Sequence, residues 1–530
     1  MKILVADRIA AEGVTALRKQ ENFEVVEAYG SSPEAMLEKV KDVQAIIVRS
    51  ETQITREVIT AAPLLKAVGR AGVGVDNIDV EAATERGIVV MNTPAGNTIA
   101  TAELTFTHLL CAARPIAQAS HSMREGRWDR KKYVGTELLE KTLGIIGLGR
   151  IGTELAKRAQ AFGMKVLAYD PYLTKERAKS IRIKKVELEE LFGKADYITV
   201  HVPRTEKTEG LINSKTIAMM KDGVCLINCA RGGIIDQKDL VEAVESGKVR
   251  AVGLDVYEKE PLDDNHPLRS YPNIVLTPHL GASTEEAQIN VGIEIAKAVG
   301  DTLLGKPALN AVNVPAVDEE SLEALQPYLK LGRRLGSLLQ QISGEAISTL
   351  RITYLGKIVD LDTQLLTLNI QCGYLNKISG EDVNIVNAPY LLKNLGIELD
   401  STDSNKDSDY AELIVLQAFT EAGHKSYEVK GTLLGKHHEP RAVCINEQDI
   451  ELILEGHLLA LENRDQPGIV GKVGTILGEE QVNIANMVLS RNASRGSALC
   501  IFQLDSAPSE KALQRIDEMP EIQSVKKIEL

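Results

Sequence analysis

Short apolar runs alternate with amphipathic stretches from the first residues onward. Lys2–Ala6, Phe23–Val26, Ala45–Val48, Lys66–Gly69 and Ile88–Met91 are Val/Ile/Leu-rich segments of four or five residues. Between them, stretches such as Ala10–Lys19 and Ser32–Lys41 space their apolar residues at helical intervals. This alternation predicts an α/β unit with a parallel sheet. A second series follows, with strands expected at Thr142–Ile146, Lys165–Tyr169, Tyr197–His201, Val224–Asn228, Ala251–Asp255 and Ile274–Thr277. The pattern Ser283-Thr-Glu-Glu286 reads as a capping box opening a helix to about Leu304. That helix can return to the first unit, so the second unit is expected to be inserted in the first. The chemistry is then expected in the cleft between them.

The first βα turn has no glycine fingerprint; the second unit has one. Strand Thr142–Ile146 feeds Gly147-Leu-Gly149-Arg150-Ile151-Gly152, a helix is expected over Thr153–Phe162, and the strand Lys165–Tyr169 ends at Asp170. Gly147 permits the tight turn, Gly149 lets backbone approach a pyrophosphate, and Gly152 lets helix and strand pack closely. Arg150 and Ile151 lie in the same phosphate-facing turn. The helix N-terminus offers free N–H groups and a positive dipole end. Asp170 can accept from both ribose hydroxyls and repels a 2′-phosphate, so NAD is favoured over NADP.

Pro and charge cluster at Lys306–Glu320, which marks a linker. Residues 316–452 mix helices and strands around a polar stretch, Ser401–Asp409, expected to be a loop. The last seventy-odd residues predict a strand His457–Glu462, a turn Asn463–Pro467, a helix Gly468–Leu477, strands Val482–Ser490 and Ala498–Leu504, a helix Ser509–Ile516 and a strand Ser524–Ile528. That βαββαβ order is ferredoxin-like.

Composition narrows the classes. A length of 530 residues suits several domains, and 44% hydrophobic residues with 4% aromatics predict aliphatic cores. The net charge of −13 argues against nucleic acid and anionic membranes as partners. No apolar run approaches a membrane span, and Met1–Asp7 reads as a strand rather than a signal peptide, so a cytoplasmic protein is expected. The six cysteines are scattered without a Cys-x-x-Cys pair and are expected to be reduced. His437-His438 reads as a solvated loop, and no metal site is expected.

Three polar residues follow predicted strands of the second unit: Arg231, Glu260 and His279. Ligands of open α/β sheets bind beyond the carboxyl ends of strands. Removing a hydride from C2 of a hydroxy acid requires a base for the hydroxyl proton, and an imidazole suits that near neutrality. A carboxylate beside it fixes its tautomer, and an arginine can grip a carboxylate as a fork.

Gly147-x-Gly149-x-x-Gly152, Asn228-Cys-Ala-Arg231-Gly-Gly, Gly253-Leu-Asp255-Val and Pro278-His279-Leu-Gly-Ala-Ser-Thr284 together resemble the D-isomer-specific 2-hydroxyacid dehydrogenase family over residues 1–305. The resemblance implies a catalytic set of Arg231, Glu260 and His279. It implies that Cys229, Ala230, Arg231, Asp255 and His279 line the nicotinamide side, with Gly281 and Ala282 approaching it. Val48-Arg49-Ser50, Gly69-Arg70-Ala-Gly72 and Gly126–Glu137 are similar to members acting on 3-phosphoglycerate. This implies substrate contacts from Arg49, Ser50, Arg70, Gly72, Arg231 and His279, with Arg49 and Arg70 on the phosphate. Arg130, Lys131 and Lys132 are implied to reach a neighbouring subunit of a homo-oligomer, a dimer or tetramer. Val73 departs from the hydroxyl residue of many relatives. Asn463-Arg-Asp465-Gln-Pro-Gly468 and Val482-Asn483-Ile484 resemble an ACT domain, which implies L-serine as effector, held by Asn463, Asp465 and Asn483 at a subunit interface.

The expected fold is thus α/β. A Rossmann-type NAD domain (99–283) is inserted in a flavodoxin-like substrate domain (1–98 and 284–305). An α+β intervening domain (316–452) and a ferredoxin-like ACT domain (456–530) follow. The implied reaction is NAD-dependent oxidation of 3-phospho-D-glycerate, the first step of serine biosynthesis. The alternatives are a hydroxypyruvate or glyoxylate reductase, and a nucleotide-sensing binding protein without turnover.

Overall fold

The computed structural model describes residues 1–308, 310–315, 319–344, 346–379, 383–404, 406–491 and 496–530. Its first sheet holds β1 (Lys2–Val5), β2 (Glu24–Glu27), β3 (Ala45–Val48), β4 (Ala67–Arg70) and β5 (Val89–Met91). All pairs are parallel, in the order β2-β1-β3-β4-β5, the flavodoxin-like arrangement. Every side chain of β3 is buried, as a strand covered on both faces requires.

The second sheet holds β6 (Thr142–Ile146), β7 (Lys165–Tyr169), β8 (Lys184–Lys185), β9 (Tyr197–Val200), β10 (Val224–Asn228), β11 (Val249–Leu254) and β12 (Ile274–Leu276). The order is β12-β11-β10-β9-β6-β7-β8, again all parallel, with the switch point between β6 and β9. The helix after the fingerprint begins at Arg150, three residues before the sequence expectation, because Gly149 is its N-cap. Arg150, Ile151 and Gly152 therefore form its first turn.

The helix Glu285–Leu303 returns to the first sheet. Val291, Ile295, Ala296 and Val299 share a core with Ile3, Val5, Leu17 and Ile47. Its cap is Thr284, whose Oγ1 accepts from Ala287 N at 3.2 Å, one residue after the expected Ser283. Where this helix crosses Ala11–Arg18 the backbones nearly touch, so a Cβ at Gly13 would overlap the Gly292 carbonyl. The helix Thr98–Ala113, which the sequence pattern did not announce, crosses between the lobes with eight buried residues. Thr101, Thr105 and His108 on its buried face blur the amphipathic stripe that would announce it.

Residues 310–313 do not form a free linker. Asn313 Oδ1 accepts from Val90 N at 2.9 Å, and its Nδ2 donates to Ile88 O at 2.9 Å and Thr84 Oγ1 at 3.0 Å. Leu309 and residues 316–318, part of the expected linker and the start of the expected intervening domain, lie outside the described residues. Farther on, Asn384 Nδ2 donates to Gly87 O at 3.0 Å, so the tail grips the same corner of the first lobe twice.

The tail begins with the helix Glu319–Ser343. It packs on a sheet of β13 (Thr349–Gly356), β14 (Glu398–Ser404), β15 (Glu412–Phe419), β16 (Lys425–Leu434), β17 (Glu439–Ile445) and β18 (Gln448–Ile453). The order is β14-β13-β15-β16-β17-β18, antiparallel except for β13 with β14. Residues 401–404 are thus strand, not loop. As an edge strand β14 buries none of its side chains, so its polar sequence hides a strand that backbone pairing builds. Asn405, within the same expected loop, lies outside the described residues.

The last sheet comprises β19 (His457–Arg464), β20 (Ile484–Arg491), β21 (Ser497–Leu504) and β22 (Ile522–Glu529) in the order β20-β21-β19-β22. Helices Ile469–Glu479 and Glu510–Asp517 cover one face through Ile469, Val473, Leu477, Ala512 and Ile516. On the other face, Leu458, Ala460, Leu499, Ile501 and Ile528 join the core of the six-stranded sheet and its helices.

Candidate active site

The chemistry gathers at the carboxyl ends of the strands. β10 ends at Asn228, whose Oδ1 accepts from Ala230 N at 2.9 Å and whose Nδ2 donates to Arg231 O at 2.8 Å. That turn throws Arg231 across the cleft. Its Nε lies 3.3 Å from Asp76 Oδ2 of the first lobe, and its Nη2 fills the space a Cβ at Gly74 would need.

His279 follows β12 with a left-handed backbone, φ 55°. Such a conformation costs about 1–3 kcal/mol in a residue with a Cβ and persists only where the surroundings impose it. Here Asp255 imposes it from below. Its Oδ1 accepts from Leu280 N at 2.7 Å and from Thr277 Oγ1 at 2.6 Å, and its Oδ2 from Gly281 N at 2.9 Å. The His279 ring stays exposed, with its Nδ1 2.7 Å from Glu260 Oε2. Glu260 Oε1 accepts from Tyr257 N at 3.0 Å. Burial alone would raise the Glu260 carboxyl. The His279 and Tyr257 hydrogen bonds and the Arg231 charge outweigh burial and hold it below the usual carboxylate range. The Tyr257 hydroxyl donates to Thr277 O at 2.9 Å, so one residue braces both Glu260 and the His279 loop.

Arg49 and Arg70 lie on the first-lobe side. Burial, with the neighbouring charges of Arg231 and Arg49, lowers the Arg70 guanidinium to about 10, still a cation at neutral pH. Its Nε is buried and has no partner among the described residues. Gly72 has φ 146°, and a Cβ there would overlap Arg70 Nη1. Ser50 is exposed beside the half-buried Arg49. Three arginines with an orphaned donor make a pocket for a strongly anionic molecule.

Sequence reasoning missed the residues that set this pocket. Asp7 is buried at the end of β1. Its carboxylate accepts from Arg49 N at 2.6 Å, Thr52 N at 3.1 Å and Thr52 Oγ1 at 2.5 Å. Asn77 Nδ2 donates to Arg49 O at 2.9 Å and Thr52 O at 2.6 Å. A carboxylate ending the first apolar strand was the available signal for Asp7.

The residues fit a dinucleotide. A Cβ at Gly149 would meet nothing within 4 Å, so the turn faces open space at a helix N-terminus. Gly147, with φ 92°, abuts His201 O, and Gly152 abuts the Gly147 carbonyl. Asp170 is fixed at the tip of β7, with Oδ2 accepting from Leu148 N at 2.8 Å and Oδ1 from Tyr172 N at 2.8 Å. Ala230 and Ala282 are half-buried at the cleft. Asp255 and Cys229, both expected on the nicotinamide side, have buried side chains. Asp255 is fully buried and its oxygens serve the loop above it. Cys229 is buried too, and burial pushes its thiol up to about 12, so it offers no reactive sulfur. Gly281 lies buried against Asp255 and Thr101.

The proposed effector residues do not meet within one chain. Asn463, next to last in β19, lies opposite Ala498, which also pairs with Arg491. Asn483 precedes Ile484, which pairs with Leu504 at the other end of the sheet. At ~3.3 Å per residue the two asparagines stand about 20 Å apart. Asp465 stays with Asn463, 3.3 Å from Arg491 Nη1. Asn463 is buried, and its Oδ1 has no partner among the described residues. No group of three or more His, Cys, Asp or Glu that could hold a metal occurs among the described residues, and no described helix is long and apolar enough to cross a membrane.

Residues 106–281 match the family described as D-isomer specific 2-hydroxyacid dehydrogenase, NAD binding domain. Residues 324–446 match that described as D-3-phosphoglycerate dehydrogenase intervening domain. The chain is 42% identical over 532 residues to a D-3-phosphoglycerate dehydrogenase of Archaeoglobus fulgidus, covering 100% of both. The chain belongs to the D-3-phosphoglycerate dehydrogenase family. A Bacillus subtilis protein of the same name is 41% identical, with 100% of this chain and 99% of that protein covered. The solved structure of a glyoxylate reductase from Paecilomyes thermophila superposes with a TM-score of 0.55 at 34% identity, covering 59% of this chain and 98% of that one. The dehydrogenase fold is thus shared with enzymes of other names, and the match beyond it carries the phosphoglycerate dehydrogenase assignment. As a member of this family the chain is an NAD-dependent oxidoreductase.

Proposed function

We propose that Arg231, Glu260 and His279 carry the oxidation of 3-phospho-D-glycerate to 3-phosphohydroxypyruvate, the first step of serine biosynthesis. Residues 1–98 with 284–305 bind the substrate and residues 99–283 bind NAD. The observation that carries this reading is the geometry of His279 beside the arginine cluster. Glu260 accepts from the His279 Nδ1–H, which leaves Nε2 as a lone pair facing the cleft. Nε2 takes the C2 hydroxyl proton, and Glu260 steadies the imidazolium that forms. Arg231 grips the carboxylate, and Arg49 and Arg70 neutralise the phosphate, with Ser50 and Gly72 beside them. The Gly147–Gly152 turn holds the pyrophosphate and Asp170 the adenosine ribose; NAD supplies the hydride acceptor. Lobe closure excludes water.

The tail is proposed as an intervening domain (316–452) and an ACT domain (456–530) that binds L-serine. Asn463 and Asp465 of one copy and Asn483 of a second would form the pocket, since one chain holds them apart. A cytoplasmic homo-oligomer follows from this reading.

Substitution tests the base. His279→Ala should lower kcat by roughly 10²–10⁴-fold, the usual worth of general base catalysis, while calorimetric NADH binding persists. Near-normal turnover would remove His279 from that role.

A further inference from the structure

His108 lies inside the helix Thr98–Ala113, with 2% of its surface exposed. Its ring rests against β11 at Gly253, where any Cβ would overlap it. Its Nε2 stands 2.9 Å from Thr277 Oγ1. Thr277 Oγ1 in turn stands 2.6 Å from Asp255 Oδ1 and 3.5 Å from Leu254 O. The carboxylate is the nearer and the charged acceptor, so the hydroxyl proton points to Asp255. The hydroxyl oxygen must then accept from His108, which fixes the Nε2–H tautomer and leaves Nδ1 a bare lone pair. Nδ1 has no partner among the described residues. A neutral ring tolerates that and a charged ring does not, and burial lowers the proton affinity of this imidazole.

The line of bonds continues to the cleft. Asp255 receives the Leu280 and Gly281 amides, and these follow His279 directly. His279 keeps a left-handed backbone, which needs such an imposed anchor. If the hydroxyl of Thr277 turned away, Asp255 would lose its only side-chain donor among the described residues and could rotate off the loop amides.

We infer that His108 is a positioning residue for the reaction: through Thr277 it locks Asp255, and so holds residues 277–281 in the conformation that aims His279 at the C2 hydroxyl. This rests on His279 being the proton acceptor. His108 itself touches neither substrate nor cofactor.

Four variants test it: His108→Leu, His108→Gln, Thr277→Val and the double variant His108→Leu/Thr277→Val. Leucine fills the space without a donor, whereas glutamine places an amide N–H near the Nε2 position. Steady-state kinetics with 3-phosphohydroxypyruvate give kcat and KM for each, alongside NADH binding and the melting temperature. Misaimed catalytic groups cost turnover rather than binding, so His108→Leu and Thr277→Val should each lower kcat by about tenfold with KM and NADH affinity nearly unchanged. His108→Gln should recover most of the rate, and the double variant should lose no more than Thr277→Val alone. A folded His108→Leu with wild-type kcat would overturn the inference, as would a His108→Gln no faster than His108→Leu, or additive losses in the double variant. Should His108→Leu not fold, an unimpaired Thr277→Val would still overturn it. His279→Ala run alongside separates the two readings. Retained turnover there sinks the base assignment, whereas a dead His279→Ala beside a fast Thr277→Val sinks only the role of His108.

Discussion

At the scale of single residues, the site rests on charges placed by backbone bonds. Arg70 is a half-buried cation whose Nε lacks a partner among the described residues, and the proposed substrate phosphate would complete it. Arg70→Ala should therefore raise KM for 3-phosphohydroxypyruvate by roughly 10–10² fold, the worth of one charge-assisted hydrogen bond. It should leave the kinetics of unphosphorylated hydroxypyruvate nearly unchanged; equal losses on both would remove Arg70 from the phosphate pocket. Glu260 gives a pH prediction. Its carboxyl is held below the usual range in the folded protein, so its stabilising charge is present above the ordinary carboxylate pKa and is lost as pH falls through the lowered folded value. The His279–Glu260 pair should therefore stay intact from neutrality down to about pH 5. Glu260→Gln should lower kcat by about 10²-fold across that whole range, checked by a pH–rate profile. A loss confined to one end of the profile would contradict the orienting role. Arg231, Glu260 and His279 were readable in sequence because each follows an apolar strand. The burial of Asp255 and Cys229 was not legible, because it leaves no mark on residues that share a motif with exposed ones.

At the scale of elements, the two parallel sheets followed from hydrophobic runs, apart from β8, a two-lysine edge strand that no apolar run marks. The helix Thr98–Ala113 and the polar edge strand β14 escaped for different reasons: buried Thr101, Thr105 and His108 blur the apolar stripe of the one, and the other has no buried face. The cap of the returning helix fell one residue late because Ser283 and Thr284 are both competent caps and only geometry chooses. The crossing of that helix over Ala11–Arg18 makes a firm prediction. Gly13→Ala puts a Cβ into the Gly292 carbonyl, a rigid backbone atom, so overpacking should cost about 1–3 kcal/mol. Thermal unfolding should show a lower melting temperature; an unchanged one would mean the helices can part freely.

At the scale of the whole molecule, the tail shares one continuous core across its two sheets and grips the first lobe through Asn313 and Asn384. Register, not motif, shows that Asn463 and Asn483 lie at opposite ends of their sheet, which no reading of spacing along the chain reveals. Hybrid oligomers test the proposed two-copy pocket. Asn463→Ala and Asn483→Ala homo-oligomers should each lose L-serine inhibition, and mixing their subunits should restore part of it by rebuilding an intact pocket. No restoration would contradict a pocket built from two copies. The reaction itself is tested by kcat/KM with NADH for 3-phosphohydroxypyruvate against hydroxypyruvate. Two arginine–phosphate contacts predict a preference of roughly 10²–10⁴ fold for the phosphorylated acid. Equal rates on both, or a preference for hydroxypyruvate or glyoxylate, would contradict the account.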